Sequence, residues 1–565
     1  MRWKSRFAIA VMAAALMTLP STALGTDEQP ERDWTVLMYF GADNDLYQAT
    51  EFCVEQALKG LNEAAADGSK VAVVLLIDGP NNGDTRVYEL TKDGRTDLTS
   101  SALGAGNVER KMTDPQTMIE FLNWAMPAYP AGKTMLVLKN GHAWCGICPD
   151  GTDNAGDEKI LMPIDDVRYA LETVQTDPAL WVDVLALDGD NMGSIEVAYE
   201  LRTVTSYFVA SQQQVPLEGL PYYLFMKDLA ETPAMDEKTA CIAMADDYVK
   251  YYNNTKGSKP VYDKLLANSQ MYVTAAVFQM GAGGKKIAGV VDGFDAYLDY
   301  LLKGELPDAV VAAAEAEGID VGAKLDQWMY PDPTTGEDVW SWIPLNRNNI
   351  SSARDCALIG KINDQQGYEW LPDAYTWLWS MSALSNYEVY GDPIPPSEDV
   401  DLSDLPELSE LKDPFVRLLL EDFMEAFGYA EPGIYRGVWR AEYLTGDGAL
   451  LWVSQSQILD RSGNSFPHGL NIWFPPTWLQ WDEDDEWTSL FTKEMTYAYS
   501  GIGVWLGTDV TVLMPAEYYC IDCPEMYQDI GLDFTSETSW MDFFGVYYDS
   551  RWLIYGGDTG SRQKP

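Results

Sequence analysis

Residues 182–202, VDVLALDGDNMGSIEVAYELR, end an apolar run in two carboxylates, Asp188 and Asp190, turn through glycine, and then start a helix. On an extended strand residues i and i+2 project to one face, so these two acids form a possible acid–base pair. Such a pair works only when its pKa values are pushed apart, and the flanks here supply neither an Asp-Thr-Gly-like turn nor a symmetric partner. A cation site at Asp188 and Asp190 fits better, or a helix cap in which Asp190 accepts N–H bonds at the start of SIEVAYEL. The loop KNGHAWCG, residues 139–146, gathers Asn140, His142, Trp144 and Cys145. His142 and His468 are the only two histidines. His468, in SFPHGLNIWF, lies far off in sequence and reads as structural, which leaves His142 as the available base. Cys145 beside His142 is a conceivable thiol nucleophile, although a loop this short seldom faces a thiol to an imidazole.

Two CxxCP motifs, CGICPDG at 145–151 and CIDCPEM at 520–526, place Cys145, Cys148, Cys520 and Cys523 in pairs. They offer either two disulfides or a tetrathiolate zinc site. An exported chain favours disulfides, and the pairs stand too far apart for a compact zinc ribbon. A covalent tie between them would draw the C-terminal tail over the mouth of the cleft. The stretch DGTDNAGDE, 150–158, clusters Asp150, Asp153, Asp157 and Glu158 as a possible calcium loop, but it lacks the EF-hand glycine and closing glutamate. A solvated acidic loop is the plainer alternative.

Elements must hold these loops in place. Apolar runs at 34–41, 70–78, 134–140, 182–188 and 206–212 alternate with stretches of helical spacing at 45–65, 113–129 and 163–174. This alternation predicts an α/β fold with a largely parallel sheet flanked by crossover helices. Sites in such sheets collect at the carboxyl ends of the strands, where both the histidine-bearing loop and the Asp188–Gly193 turn fall. Residues 222–345 read as mainly helical with loop insertions. Residues 391–414 form an acidic, proline-bearing linker or loop insertion, 415–428 a helix, 449–459 and 469–475 strands. The aromatic, acidic tail spans 508–565.

The 565 residues are 47% hydrophobic with 20 Trp and 32 Tyr, which supports an extensive folded core and excludes disorder over most of the length. Residues 1–25 set Arg2, Lys4 and Arg6 before an apolar run that is too short to span a bilayer and ends in Ala23-Leu24-Gly25. This is the pattern of an export signal, so the mature chain is expected to be secreted or otherwise extracytoplasmic and free of the membrane. Losing those three cations takes the formal charge from −49 to −52. That field repels nucleic acid and anionic membrane and suits a basic peptide or protein ligand, or a cation.

The ordered set WTVLMYFGADNDL, the Gly-His-Trp loop, LDGDNMGSIEVAYELR, FVASQQQVPLEGLPYY and GLNIWFP resembles the clostripain-like cysteine peptidases (peptidase C11), a caspase-fold family, over about residues 33–507. The resemblance implies a Cys–His dyad on neighbouring strand ends and cleavage after basic residues, and it raises the expectation of calcium. The family's nucleophile turn, Asp-Ala-Cys-Leu-Met-Gly, aligns here with Asp188-Gly189-Asp190-Asn191-Met192-Gly193, so Asp190 stands in the cysteine position. A carboxylate there is a poor nucleophile toward amides and repels an oxyanion. The family's His-Gly-x-Gly-Trp aligns with Asn140-Gly141-His142-Ala143-Trp144; anchored on Trp144 it puts Asn140 in the histidine slot, and anchored on the strand it puts Gly141 there. Both halves of the dyad are thus out of place. The expectation is an exported pseudopeptidase that binds peptide, protein or cation; the alternative is an active endopeptidase with a rearranged site using His142 and Cys145.

Overall fold

A computed structural model describes residues 32–64 (save 45), 70–140, 146–150, 161–252 (save 214), 273–350 (save 333, 343 and 346–348), 373–390, 408–429, 444–455 and 531–548, with isolated positions at 353, 357, 470 and 472. The export signal at 1–25 lies outside the described residues, as do most of the 391–414 segment and the strand expected at 469–475, save Leu470 and Ile472.

Thirteen strands are formed by the described residues: β1 (Arg32–Gly41), β2 (Val71–Asp78), β3 (Arg86–Thr91), β4 (Gly94–Asp97), β5 (Ala131–Lys139), β6 (Gly146–Ile147), β7 (Met162–Pro163), β8 (Val184–Asp188), β9 (Tyr207–Ala210), β10 (Thr274–Gln279), β11 (Met329–Pro331), β12 (Asp338–Trp340) and β13 (Leu450–Gln455). Nine of them make one sheet in the order β13-β10-β9-β8-β5-β1-β2-β3-β4. Its centre, β2-β1-β5-β8-β9, is parallel, and antiparallel strands extend both edges. The fold is therefore the α/β, largely parallel sheet that the sequence predicts.

Helices between the strands are α1 (Tyr47–Glu63), α2 (Thr99–Ala102), α3 (Pro115–Ala128), α4 (Ile164–Val174), α5 (Ile195–Glu200), α6 (Tyr222–Glu231), α7 (Glu237–Tyr252) and α8 (Lys285–Lys303). Local chemistry starts them: Asp114 accepts from Gln116 N at 2.9 Å with Pro115 at the first helical position, and Ser194 accepts from Val197 N at 3.2 Å. Both faces of the central strands are covered, so their side chains are mostly apolar and feed alternately into two cores. Leu37, Tyr39, Leu136, Leu138, Leu185 and Leu187 join α3, α4, α5 and α8 on one face. Val36, Met38, Phe40, Met135, Val137 and Val184 join α1, α6 and α7 on the other.

Two differences from expectation have simple causes. The segment expected to be mainly helical contains β10, a sheet strand whose run Val273–Phe278 is too short for its period to declare itself. The β3–β4 hairpin was legible in Asp93-Gly94, a hairpin-turn dipeptide, but its strands are half-buried and polar.

The described part of the tail is built into the molecule. Helices Asp533–Glu537 and Trp540–Tyr548 bury Phe534, Trp540, Phe543 and Phe544 in the α5/α8 core, where Trp540 packs against Phe294, Trp377 and Phe543. Polar ties fix it to the carboxyl end of α5: Tyr199 donates to Glu537 at 2.7 Å, Arg202 pairs with Asp533 at 3.0 Å, and Asp533 N donates to Glu200. Trp540→Ala is accordingly expected to lower unfolding free energy in urea by about 3–5 kcal/mol; a loss under about 1 kcal/mol, the size of an ordinary point change, would show that these helices only lean on the core.

Candidate functional site

The parallel strands all release their chain at one edge of the sheet, and β1 sends it to β2 on one side while β5 lies on the other. That reversal makes the β1/β5 edge the topological crevice of the fold. Gly41, Asp43, Asp78, Lys139, Asn140, Asp188 and Asp190 all sit at or just beyond these strand ends.

The Asp188–Ser194 turn is tightly specified. Asn191 takes φ 59°, the left-handed region that asparagine tolerates. Gly193 N donates to Ser211 O at 2.8 Å, and a Cβ at Gly193 would come to 3.0 Å from the Ser211–Gln212 backbone, so a larger residue would have to push that backbone aside. Asp190, 9% exposed, accepts from Val215 N at 2.8 Å. It does not cap α5, a role held by Ser194: three residues of turn separate Asp190 from the cap, and its carboxylate serves the loop after β9 instead.

Asp188 is not available to a ligand or to pairing with Asp190. Its carboxylate accepts from Lys139 Nζ at 2.8 Å, the Tyr222 hydroxyl at 2.6 Å and Leu220 N at 3.0 Å. Both charged side chains are buried, at 2% and 0% exposure. Burial pulls the Lys139 ammonium down, but the Asp188 charge and hydrogen bond, with Cys53 and Glu218 nearby, together outweigh it and hold the lysine raised. The basic group that Asp188 could have received from a ligand is thus supplied from within the chain. Lys139 was missed in the sequence because a lysine closing an apolar strand looks like an exposed boundary residue.

Asn140, the residue in the family's histidine slot by one alignment, has φ 75° and is buried. Its amide donates to Gly41 O at 2.8 Å and to Thr50 Oγ1 at 2.9 Å, tying β5 to β1 and α1. His142, Trp144 and Cys145 lie outside the described residues, as do Asp153, Asp157, Glu158, Cys520 and Cys523. Cys148 is a free, fully buried thiol whose Sγ donates to Tyr39 O at 3.6 Å, and the cysteines expected to share a bridge or zinc site with it lie outside the described residues. Burial pushes the Cys148 and Cys53 thiols up to about 12 and raises Cys241 as well. None of the three is poised as a nucleophile.

Asp150, the first acid of the expected calcium loop, is placed against Asp43 and Asp78, all three buried with carboxylate oxygens within 4.8 Å of one another. Burial, joined by Glu109, Asp150 and Asp43, pushes Asp78 up to about 8 against the pull of the Thr85 hydroxyl. Asp43 and Asp78 carry a sequence trace, each being an acid at or just after the end of an apolar strand.

Lys139→Met, which strands the Asp188 charge, is expected to cost about 3–5 kcal/mol in urea denaturation, and Lys139→Met with Asp188→Leu to recover most of it. Equal losses in the single and double variants would show that the pair contributes nothing specific.

Residues 38–277 match the model of the clostripain family, peptidase C11. No curated protein matches the chain. Among solved structures, it is similar to a secreted C11 cysteine protease from Bacteroides thetaiotaomicron in complex with an irreversible peptide inhibitor, at 20% identity over 47% of this chain and 71% of that one with a TM-score of 0.38. It is also similar to an inactive zymogen C11 protease from Parabacteroides distasonis, at 14% identity over 83% and 99% with a TM-score of 0.45. Both are too distant to carry over a site or an activity.

Proposed function

Because this chain belongs to the clostripain family through residues 38–277, we propose that it is a pseudopeptidase, exported from the cytoplasm, that binds a basic peptide or protein without cleaving it. The observation that carries this reading is Asp190: the turn that aligns with the family's nucleophile turn bears at its tip a carboxylate engaged with Val215 N. Covalent acyl transfer needs an activated nucleophile beside a base and donors aimed at the oxyanion. The turn offers a negative charge where each of these would act. Asn140 adds support, since its side chain is consumed in holding β1 and α1. The charge of −49 favours cationic ligands, and with Asp188 satisfied by Lys139 that attraction falls to the chain's overall negative field rather than to this buried carboxylate.

The test is turnover and thiol reactivity on the purified chain, with calcium and reductant present. Arginyl and lysyl fluorogenic peptides are expected to remain uncleaved. Iodoacetamide followed by peptide mapping is expected to leave Cys53, Cys148 and Cys241 unlabelled until the protein is unfolded. Turnover that disappears in His142→Ala or Cys145→Ala would replace this reading with that of an active endopeptidase using a rearranged dyad.

A further inference from the structure

Large hydrophobic side chains are exposed at five described positions, Tyr169, Leu217, Met329, Tyr330 and Val339, and three of the five belong to the β11–β12 hairpin. These strands form a two-stranded sheet of their own, and among the described residues no other strand pairs with either outer edge. The register sets Met329 opposite Trp340, Tyr330 opposite Val339 and Pro331 opposite Asp338. Opposed residues of an antiparallel pair share a face and successive ones alternate, so Tyr330 and Val339 face away from the side that carries Trp340.

The root of the hairpin is fixed. Trp340 donates from its indole to Leu301 O at 3.1 Å and meets the Tyr300 ring edge-on at 5.5 Å. It lies so close over Gly304 that a Cβ there would come to 2.5 Å from the indole. Trp342 donates to Asp413 at 3.1 Å and meets Trp328 edge-on at 6.3 Å, while Ser341 N donates to Trp328 O at 2.9 Å. The tip is fixed as well: Asp332 accepts from Thr334 N at 2.8 Å and Thr335 N at 2.7 Å, and its own N donates to Glu337 O at 2.8 Å. Tyr330 and Val339, 38% and 43% exposed, are thus presented on a preorganised frame, and little ordering entropy opposes binding there.

Charge decides what this face can receive. Residues 304–345 hold nine carboxylates and one cation, Lys324. Asp326, Glu337 and Asp338 are exposed beside or within the hairpin and form no ion pair among the described residues. A second copy of the chain would bring the same charges to the contact, and edge charges with a strand proline such as Pro331 are what keep strands from pairing with their own kind. The same carboxylates attract a partner of opposite sign, and the Tyr330 ring can itself receive a guanidinium or ammonium.

We propose that the Tyr330–Val339 face of this hairpin is a docking surface for a cationic partner protein, which it takes through a segment where arginine or lysine alternates with aliphatic side chains. The aliphatic groups cover Tyr330 and Val339, and the cations answer the carboxylates around them. The surface shares no residue with the crevice, so it stands whether the crevice binds a peptide, cleaves one or does neither.

The probe is a fluorescent peptide of alternating arginine and valine, about eight residues long, titrated with the full mature chain and read by anisotropy, with Glu-Val and Arg-Ser repeats as comparators. Saturable binding of the Arg-Val peptide is expected, stronger than that of either comparator and weaker as salt rises. Tyr330→Ser with Val339→Ser, which leaves the charge unchanged, is expected to weaken it at least about tenfold, and Glu337→Lys with Asp338→Lys to do the same. Both variants alter exposed side chains and are expected to unfold within about 2 °C of the parent, which separates a lost contact from a damaged fold. Leu217→Ser, in the loop that closes over Asp188, is expected to leave binding unchanged. No binding by the parent, or binding that Tyr330→Ser with Val339→Ser leaves intact, would overturn the proposal; the second outcome would mean attraction by the chain's overall charge alone. Binding lost in Leu217→Ser and kept in the hairpin variants would overturn it while supporting a peptide-binding crevice. A dimer of the parent that Tyr330→Ser with Val339→Ser dissociates in sedimentation would replace the cationic partner with a second copy.

Discussion

The buried pairing of Lys139 with Asp188 is the constraint around which the crevice is arranged. These residues are directly opposite each other in the parallel register of β5 and β8, so the pair fixes the relative height at which the two strands deliver their loops. Desolvating two charges is expensive, and the cost is met only where remaining hydrogen-bond capacity is filled. Here Tyr222 and Leu220 N complete the Asp188 shell, and the loop that presents them is itself tied down by Tyr252 donating to Gly219 O and Cys53 to Glu218 O. Gly219 carries the consequence: with φ 67° and a notional Cβ 2.1 Å from Asp188 Oδ2, no other residue fits. A charge pair between two strands thereby dictates the course of a loop thirty residues later in the chain.

The same strand ends concentrate negative charge. Asp43, Asp78, Asp150, Asp188 and Asp190 all gather at one edge of the sheet, with Lys139 the counter-charge bonded among them. An environment of this sign raises thiol and carboxyl pKa values and resists a developing oxyanion, which is the reverse of what acyl transfer requires. It is well suited to holding cations. On the proposed reading, the charge at the crevice weighs against peptide-bond cleavage alongside the carboxylate at position 190.

How much of this was legible depended on whether the determining interaction was local. The five central parallel strands and the helices α1, α3 and α4 were readable, because burial on both faces produces apolar runs and crossover helices keep a 3.6-residue stripe. The Asp188–Ser194 turn was readable as a turn, but its capping was not: Ser194 and Asp190 both qualify as caps, and the choice is made by Val215, which comes from beyond the next strand. The acid triad was out of reach for the same reason. Asp150 invites grouping with the acids that follow it, whereas Asp43 and Asp78 join it only through strand order and the close approach over Gly41. Lys139 was hidden for the opposite cause, having a strong local interpretation, as a boundary cation, that burial overrules.

The tight specification of the Asp188–Ser194 turn has a physical basis in what else hangs from it. Helix α5 leaves the turn capped by Ser194, and its far end carries Glu200, buried and bonded to Arg168 at 2.6 Å and to Asp533 N. Arg202, just past the helix, lies over the Tyr199 ring and pairs with Asp533 and Glu537. A helix of six residues thus connects the tip of the crevice to the docked C-terminal helices, and Ile195, Val197 and Ala198 between them are part of the main core. Relaxing the turn would shift all of these contacts together. Replacing the residue at its tip disturbs none of them, since Asp190 is only 9% exposed and finds a backbone donor in Val215. The side chain at position 190 is therefore separable from the architecture that presents it.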